Sequence, residues 1–262
     1  MARLPGLDPF KLAEEVREKA VRREGGSELR RYYRFRGARW YGGIATGDVV
    51  GCNLRCKFCW SWRYSFFPDR GELYSPEEVA RRLASIARSR GYKYARLSGG
   101  EPTISFEHAV EVARRLEREN LTFILETNGL LIGLYKDYAR ELAGLRNVVV
   151  RVSFKGTTPG EFSMLTGARE EFFEYQFRAL ENMLEAGMEP GRDFYAAAML
   201  SFSPEENVRK FVERLKRIDP ALGRNLDAEY VILYPHVVDL LRRSGLRPRI
   251  SYRPDGVPES MI

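Results

Sequence analysis

The sequence predicts an α/β protein, a partial (β/α)6 TIM-like barrel with an N-terminal helical extension. The first observation is a regular alternation after Ile44, where short apolar runs are followed by longer segments whose apolar residues recur with a period of 3.6. Six such units can be counted along the chain. The second observation is size, because 262 residues with 44% hydrophobic content can bury one substantial core. We therefore expect one principal domain.

Each predicted unit begins with a short strand. The six strands are Ile44–Val50, Tyr94–Leu97, Thr122–Glu126, Val148–Phe154, Asp193–Leu200 and Glu229–Leu233. Two of the intervening helices begin with the same signal, Ser75-Pro76-Glu77-Glu78 and Ser203-Pro204-Glu205-Glu206. In this capping box the Ser caps the helix and the Glu three residues later returns the hydrogen bond.

Three segments are predicted along the chain. A basic helical extension covers residues 1–41, the barrel covers 42–244, and a C-terminal tail covers 245–262. Asp8-Pro9 predicts the start of the helix in the extension, which continues until Gly25-Gly26 ends it. Because the tail is rich in Arg and Pro, we expect it to be a loosely ordered wrap.

The composition indicates where the protein works. No apolar run approaches the roughly 20 residues that a membrane helix needs, and the N-terminus lacks the apolar core of a secretory signal. We therefore expect a soluble cytoplasmic protein. The single glutamine, Gln176, and the many Arg and Glu residues resemble thermophile composition. Residues 1–40 hold eleven basic and six acidic side chains, which favours either an anionic partner such as RNA or a solvated, salt-bridged helix.

The three cysteines lie within eight positions, directly after the first predicted strand. Cys52, Cys56 and Cys59 have the spacing C-x3-C-x2-C, and three thiolates in so short a loop can hold three corners of one cubane cluster. No cysteine remains for the fourth iron, which leaves it open to an exogenous ligand. A structural zinc site needs four protein ligands, whereas the only histidines, His108 and His236, lie far from the loop in sequence. An electron carrier usually protects its cluster with a fourth cysteine, so this interpretation is also disfavoured.

The segment CNLRCKFC resembles the C-x3-C-x-Φ-C signature of the radical S-adenosylmethionine (radical SAM) superfamily, with Phe58 as the aromatic residue. The resemblance implies one [4Fe–4S] cluster on Cys52, Cys56 and Cys59, whose open iron chelates S-adenosylmethionine. It also implies reductive cleavage of that molecule to methionine and a 5′-deoxyadenosyl radical, which abstracts hydrogen from a substrate. A low-potential electron donor such as flavodoxin or ferredoxin is implied as a partner.

The second strand leads into a motif that fits this interpretation, because a barrel enzyme assembles its site at the carboxyl ends of its strands. Ser98-Gly99-Gly100-Glu101-Pro102 resembles the GGEP motif of the family. The resemblance implies that Gly99, Gly100 and Glu101 bind the methionyl ammonium of S-adenosylmethionine. Paired glycines allow close approach of a main chain to a ligand, and a carboxylate accepts from an ammonium group. Without the cysteines, the same residues would indicate a turn and a helix-start or surface carboxylate.

The third and fourth strand ends resemble those of glycyl-radical activating enzymes. Glu126-Thr127-Asn128-Gly129 resembles their acidic-Thr-Asn-Gly turn, and Ser153-Phe154-Lys155 resembles their Asp-Leu-Lys segment. The resemblance implies cofactor-binding roles for Glu126, Asn128, Ser153 and Lys155. Taken alone, Asn-Gly indicates only a turn, and a lone strand-end lysine indicates solvated surface.

Strand alternation gives an independent expectation for the fourth strand. Arg151, Ser153 and Lys155 share one face, so they are expected to line the cavity, while the apolar residues between them meet helices.

Two more candidates lie near the ends of the last strands. Met199 lies where adenosine contacts occur in the family. Tyr234-Pro235-His236 resembles a Pro-Tyr-His segment of activating enzymes with Tyr and Pro exchanged, so His236 either contacts S-adenosylmethionine or caps a helix. His108 lies in an amphipathic helix and is expected to be structural. The aromatic residues from Trp60 to Phe67 either shield the cluster or pack in a core or interface.

The nearest resemblance is to the pyruvate formate-lyase activating enzyme group, whose members take a glycine hydrogen from a partner protein. Two departures bear on this: Ser153 stands at the usual Asp position, and Phe162 stands where a His commonly precedes the Thr-Gly segment. One alternative is radical modification of RNA, a nucleotide or another small molecule. A nonenzymatic alternative is an iron–sulfur electron-transfer or binding module. The sequence leaves open the substrate, the electron donor, the oligomeric state and whether S-adenosylmethionine is consumed or regenerated.

Overall fold

The computed structural model describes residues 6–259 of the chain. In chain order its strands are β1 Val21–Glu24, β2 Ser27–Ala38, β3 Ile44–Val49, β4 Glu72–Tyr74, β5 Tyr94–Gly99, β6 Thr122–Thr127, β7 Val148–Phe154, β8 Phe194–Met199, β9 Asp227–Glu229, β10 Val231–Ile232 and β11 Ser251–Tyr252. Its α-helices are α1 Pro9–Ala20, α2 Trp62–Ser65, α3 Pro76–Arg90, α4 Phe106–Arg118, α5 Leu130–Leu134, α6 Lys136–Ala143, α7 Pro159–Thr166, α8 Phe173–Glu185, α9 Glu205–Ile218, α10 Pro220–Arg224 and α11 Pro235–Arg243. The first five residues of the predicted extension and the last three of the predicted tail lie outside the described residues.

Six parallel strands form the centre of the sheet, in the order β3-β5-β6-β7-β8-β9. On one side β2 pairs antiparallel with β3, and it pairs in turn with β1 and β4. Within the described residues the two ends of the sheet do not pair, so the barrel is open. The predicted partial (β/α)6 barrel is thereby confirmed, and each parallel strand overlaps one of the six predicted strands.

The N-terminal extension begins with the predicted helix. The carboxylate of Asp8 accepts hydrogen bonds from the main-chain N–H groups of Phe10 and Lys11, which caps α1. The helix ends at Ala20, so the prediction that it continues until Gly25-Gly26 is wrong.

The rest of the extension is β-structure, which corrects the prediction of a helical segment. Gly25 and Gly26 have φ angles of +57° and +80° and form the turn between β1 and β2, a place where Gly-Gly is favoured. Along the first half of β2, burial alternates, and Glu28, Arg30 and Tyr32 are the buried residues; the Tyr32 hydroxyl and Glu28 O contact His108 on α4, on the outer side of the sheet. The sequence of β2 does have the period of two typical of a half-buried strand, but it could not be recognised because charged residues occupy buried positions.

One of the two predicted capping boxes forms. Ser75 Oγ accepts from the N–H of Glu78 at 3.2 Å, and the Glu78 carboxylate accepts from the N–H of Ser75 at 2.9 Å. The second prediction is wrong, because α9 has no side-chain cap. Ser203 instead donates its hydroxyl at 2.7 Å to Glu161, whose buried carboxylate requires donors.

The sixth predicted strand, Glu229–Leu233, is divided in two. β9 ends at Glu229 in the main sheet, and β10 pairs in parallel with β11 in a separate two-stranded sheet. The predicted tail therefore contributes a strand, and the N–H of Arg249 also donates to Ser201 O at 2.6 Å.

The two faces of the sheet differ in chemistry. On β7, Val150, Val152 and Phe154 are fully buried, and the Phe154 ring lies 4.8 Å from that of Phe177 on α8 and 5.0 Å from that of Phe211 on α9. The alternate residues of β7 face the cavity inside the curved sheet, as predicted. No helix within residues 6–259 is both long enough and apolar enough to cross a lipid bilayer.

Candidate active site at the carboxyl ends of the parallel strands

The cysteine loop, residues 52–59, follows β3 and is held at both ends by main-chain hydrogen bonds. The N–H of Cys52 donates to Ser65 O at 3.0 Å. The N–H groups of Arg55 and Lys57 donate to Thr166 O at 3.1 Å and Leu165 O at 2.9 Å, at the end of α7. The loop is therefore fixed against the barrel by its own main chain, and its three thiols are free.

The chemistry of the loop fits an iron–sulfur cluster. Burial raises the pKa of Cys52 to about 12 and that of Cys56 well above its ordinary value, so these thiols become thiolates only beside a compensating cation. No three His, Cys, Asp or Glu side chains of residues 6–259 are gathered closely enough to hold a single metal ion. A cubane, which takes one thiolate per iron, does not require such close grouping.

One orphaned donor lies beside the thiols. Asn53 is fully buried, and its Nδ2 has no hydrogen-bond partner among the described residues. Its Oδ1 accepts from Nδ2 of Asn128 at 2.7 Å. A cluster sulfur is a suitable acceptor for such a donor, because hydrogen bonds to sulfur are common around iron–sulfur centres. The loop therefore fits the cluster that its spacing predicts.

Gly99, the last residue of β5, and Gly100 lie against Val49 and Gly51, just before the cysteine loop. Gly99 has a φ of +89°, and a Cβ on Gly100 would lie 2.1 Å from Gly51 O, so neither position accepts a larger residue without a shift. The N–H of Gly100 donates to Val49 O at 2.9 Å. In the structure these glycines allow close packing of two loops, and their predicted contact with a ligand stays a prediction.

Glu101 is only 2% exposed, and its carboxylate is surrounded by donors. One oxygen accepts from the N–H and the hydroxyl of Thr103 at 3.1 and 2.6 Å and from the hydroxyl of Thr127 at 2.7 Å. The other accepts from the N–H of Asn128 at 2.7 Å. In this arrangement the carboxylate joins the loops after β5 and β6, and the predicted role of Glu101 in binding an ammonium group stays untested.

Glu126 is held by a cation that the sequence analysis did not single out. Nη1 of Arg96 on β5 contacts Oε1 of Glu126 at 2.6 Å, and Tyr41 donates its hydroxyl to the same oxygen at 3.0 Å. Burial alone would raise the pKa of Glu126, but the positive charges of Arg96 and Arg151 lower it below its usual value. Glu126 is therefore ionised at neutral pH.

A second cluster of charged side chains connects β7 to β9. Arg151 donates to Asp227 at 2.7 and 2.8 Å and to Glu229 at 2.5 Å. Ser153 donates its hydroxyl to Glu229 at 2.5 Å, and the ammonium group of Lys155 contacts both Ser153 and, at 3.4 Å, Glu229. Burial opposes ionisation of Glu229, yet Lys155 and Arg151 lower its pKa to about 2. Ser153 and Lys155 are thus held by a carboxylate of this chain.

The remaining candidates lie around the cysteine loop. The Phe58 ring lies 5.9 Å from that of Phe202, and Met199 belongs to the same apolar cluster. A ring nitrogen of His236 lies 2.7 Å from Trp60 O, in the residue after Cys59. Since α11 has no side-chain cap, the helix-capping alternative for His236 is wrong.

One cavity of about 1050 Å³ brings all thirteen predicted site residues together. It is lined by Cys52, Cys56, Phe58, Cys59, Gly99, Gly100, Glu101, Glu126, Asn128, Ser153, Lys155, Met199 and His236. It is also lined by residues that sequence reasoning did not select, among them Arg34, Arg36, Tyr41, Arg96, Asp227 and Glu229. Alternation could have found one of them, because Arg96 lies between Ala95 and Leu97 in a predicted strand.

Comparison with known proteins identifies relatives of this arrangement. The sequence model described as the radical SAM superfamily matches residues 48–218, more than half of the chain. A probable GTP 3′,8-cyclase of Thermococcus kodakarensis is 34% identical over 116 residues, which are 44% of this chain and 36% of the relative. The GTP 3′,8-cyclase of Petrotoga mobilis is 28% identical over 142 residues, 53% of this chain and 42% of the relative. The chain thus spans less than half the length of either cyclase.

Solved structures show the same fold. The crystal structure of Streptococcus suis SuiB bound to S-adenosylmethionine has a TM-score of 0.55 and 17% identity, covering 75% of this chain and 44% of SuiB. The two relatives described above are named as cyclases, so they do not support the narrower expectation of a nearest resemblance to glycyl-radical activating enzymes.

Proposed function

Because the chain belongs to the radical SAM superfamily, it uses a [4Fe–4S] cluster and S-adenosylmethionine, and we propose that it abstracts hydrogen from a nucleotide substrate. The observation that carries the proposal is the cavity at the carboxyl ends of the parallel strands, which extends from the cysteine loop to a wall of charged and aromatic side chains. Its volume of about 1050 Å³ lies at the upper end of the roughly 300–1,000 Å³ of ordinary ligand pockets, which favours two occupants.

In this proposal Cys52, Cys56 and Cys59 hold the cluster, and the backbone of Gly99 and Gly100 faces S-adenosylmethionine. When bound and reduced, the cluster supplies the electron that cleaves S-adenosylmethionine into methionine and the hydrogen-abstracting 5′-deoxyadenosyl radical. The residues of this chain bind and orient the two small molecules and exclude water. An electron donor of low potential, such as flavodoxin or ferredoxin, completes the system.

The nucleotide is favoured for two reasons. The relatives that match the barrel are named for a reaction of GTP. In addition, the cavity wall combines aromatic rings, such as those of Trp40, Tyr41 and Trp60, with arginine side chains. Rings of this kind stack on bases, and guanidinium groups bind phosphate in paired hydrogen bonds. Hydrogen abstraction from a glycine of a partner protein is the competing proposal, and modification of RNA is another.

The decisive experiment follows deuterium. Anaerobically reconstituted and reduced protein receives S-adenosylmethionine with nucleotides deuterated in the ribose or the base, and 5′-deoxyadenosine is analysed by mass spectrometry. Transfer of deuterium from a nucleotide is the expected result. Transfer only from a glycine-labelled protein or from labelled RNA would replace the nucleotide proposal, and binding of S-adenosylmethionine without cleavage under any condition would contradict the enzyme proposal.

Cys56→Ala is the matched control for the cluster. Cys56 is only 8% exposed and contacts the core, but its replacement by alanine removes a single sulfur and leaves no polar group unpaired, so the circular dichroism of the apoprotein is expected to stay unchanged. The variant should fail to retain four irons and should yield no 5′-deoxyadenosine. Retention of four irons would contradict the assignment of Cys56 as a ligand.

A further inference from the structure

A β-bulge in β2 turns two arginines into the cavity. Tyr32 pairs with Val49 and Arg34 pairs with Asp48, so one extra residue lies between them on β2. The extra residue shifts the alternation, and the Tyr32 and Phe35 rings stack 5.2 Å apart on the outer side of the strand. Arg34 and Arg36 consequently line the cavity. Both residues precede the segment that the family model matches.

The two arginines share a single carboxylate. Nε of Arg34 donates to Asp48 at 2.7 Å, and Arg36 donates to it through Nε at 2.9 Å and Nη2 at 3.3 Å. The Asp48 side chain is fully buried, whereas those of Arg34 and Arg36 are 45% and 25% exposed. Nη1 and Nη2 of Arg34 and Nη1 of Arg36 contact no carboxylate of residues 6–259. The carboxylate thus orients two guanidinium groups and leaves donors available.

The shared carboxylate also leaves a local surplus of positive charge. Along the other strands that face the cavity, the cations of residues 6–259 also contact carboxylates. Arg96 contacts Glu126, Arg151 contacts Asp227 at 2.7 Å, and Lys155 contacts Glu229. Arg151 and Lys155 share Glu229, but Arg151 also has Asp227, whereas among residues 6–259 Arg34 and Arg36 have only Asp48 between them. An anionic ligand in the cavity is therefore attracted to the end formed by β2.

Trp60, directly after the cysteine loop, contacts both Arg34 and Arg36. Its ring centre lies 5.8 Å from the guanidinium carbon of Arg34 and 5.8 Å from that of Arg36, within the range of cation–π attraction. The Trp60 side chain is 39% exposed and lines the cavity. The guanidinium groups of both arginines are therefore ordered before any ligand binds, which reduces the entropy lost on binding.

We propose that Arg34 and Arg36 form the phosphate-binding end of the substrate site, a step that rests on the nucleotide function proposed above. Two guanidinium forks with free N–H groups match the geometry and charge of a phosphate group. The carboxylate of S-adenosylmethionine is the other anion available in the cavity. Phosphate carries more charge and more acceptor oxygens, and it is therefore the better partner for two forks.

The test compares equilibrium binding in Arg34→Gln, Arg36→Gln and a matched control, Arg82→Gln. Arg82 lies on α3, is exposed and contacts the Phe35 and Tyr74 rings at 5.3 and 4.8 Å outside the cavity, so its removal changes net charge without altering the cavity wall. We expect guanosine and adenosine triphosphates to bind about tenfold or more weakly in each cavity variant, with unchanged nucleoside affinity. Arg82→Gln should bind like the unaltered protein, and Arg34→Lys should recover part of the affinity.

Three results would overturn the inference. They are equal affinity of nucleotide and nucleoside in the unaltered protein, unchanged nucleotide affinity in both cavity variants, and a loss confined to S-adenosylmethionine. Thermal unfolding identifies any variant that does not fold, and each single substitution leaves Asp48 one arginine partner. The binding experiment needs no turnover. Failure of deuterium transfer would therefore overturn the proposed function alone, and unchanged nucleotide affinity would overturn the phosphate site alone.

Discussion

Nδ2 of Asn128 donates a 2.7 Å hydrogen bond to Oδ1 of Asn53, so the turn after β6 holds the loop that carries the cysteines. Both side chains are buried, at 4% and 0% exposure, and Asn128 also accepts from the N–H of Leu130 at 3.1 Å. The candidate site is thus built from loops that support one another, and its parts are expected to fail together.

Asn128→Ala tests this connection. The substitution leaves Oδ1 of Asn53 buried without a donor, which is expected to lower the free energy of unfolding by about 1–3 kcal/mol. Iron retained per chain after reconstitution should fall with it, because the cysteine loop loses a support. Urea unfolding of the apoprotein and iron analysis measure the two effects. A double-mutant cycle with Asn53→Ala should give a coupling energy of about 1 kcal/mol, and strict additivity would contradict a direct connection.

Glu101→Gln distinguishes a carboxylate that joins loops from one that only binds ligand. The amide oxygen of Gln cannot accept from all four donors around Glu101, and its NH2 group would face one of them. The unfolding free energy of the apoprotein should fall by about 1–3 kcal/mol. Glu107→Gln is the control, because the Glu107 side chain is 49% exposed and forms a surface ion pair. An unchanged apoprotein would indicate that the Glu101 carboxylate is needed only for ligand.

The parallel strands could be predicted because their signal is local. Val148–Phe154 is a run of apolar and β-branched residues bounded by polar ones, and the structure assigns β7 the same limits. The cysteine spacing and Gly99-Gly100 were equally visible, because these residues must be adjacent in sequence to act together. The positions at the ends of the strands followed from the barrel itself.

Other features could not be predicted because they depend on partners far away in sequence. Arg30 and Glu28 belong to the charged segment for which either an anionic partner or a solvated helix was expected, yet both are buried in β2, and Glu28 accepts from Ser105 at 3.2 Å. Likewise, the ion pair of Arg151 with Glu229 spans 78 positions. Charged residues at every second position of a strand usually indicate an exposed face, whereas Glu28 and Arg30 are buried and Arg151 lines the cavity.

His108 predicts a loss of stability in mild acid. It lies buried between the hydroxyl of Tyr32 at 2.8 Å and Glu28 O at 2.7 Å, and burial lowers its pKa to about 4. Between pH 6.5 and 4 the unfolded chain binds a proton that the folded chain does not, so stability falls as the pH falls through this window. From pH 7.5 to 5 the expected loss is about 2 kcal/mol.

Urea unfolding at the two pH values measures this effect. His108→Asn should reduce the difference between pH 7.5 and 5 by about 2 kcal/mol, whereas the same substitution at the partly exposed His236 should leave it unchanged. The same pH difference in the unaltered protein and in His108→Asn would show that other groups cause the acid sensitivity.

Substitution of Arg30 is expected to change the reduction potential of the cluster while leaving the stability of the apoprotein nearly unchanged. The fully buried guanidinium of Arg30 donates to Val50 O and, at 3.5 Å, to Glu101 O. These bonds connect the segment just before the cysteine loop to the Gly-Gly-Glu loop. Nε and Nη1 have no hydrogen-bond partner, and no carboxylate of residues 6–259 lies within 4.0 Å. Burial lowers the pKa of Arg30 to about 10, yet it remains charged at neutral pH.

In Arg30→Met, relief from burying an unpaired cation offsets the loss of the bond to Val50 O. The unfolding free energy of the apoprotein should therefore change by no more than about 1 kcal/mol. The cluster, however, loses a positive charge near Cys52, and its potential should become more negative, because added electrons are stabilised by nearby cations. Redox titrations followed by electron paramagnetic resonance measure the shift. Arg30→Lys should largely retain the potential of the cluster. Arg22→Met, at an exposed position of β1, should not alter that potential. An equal shift in Arg22→Met would therefore attribute the effect to net charge.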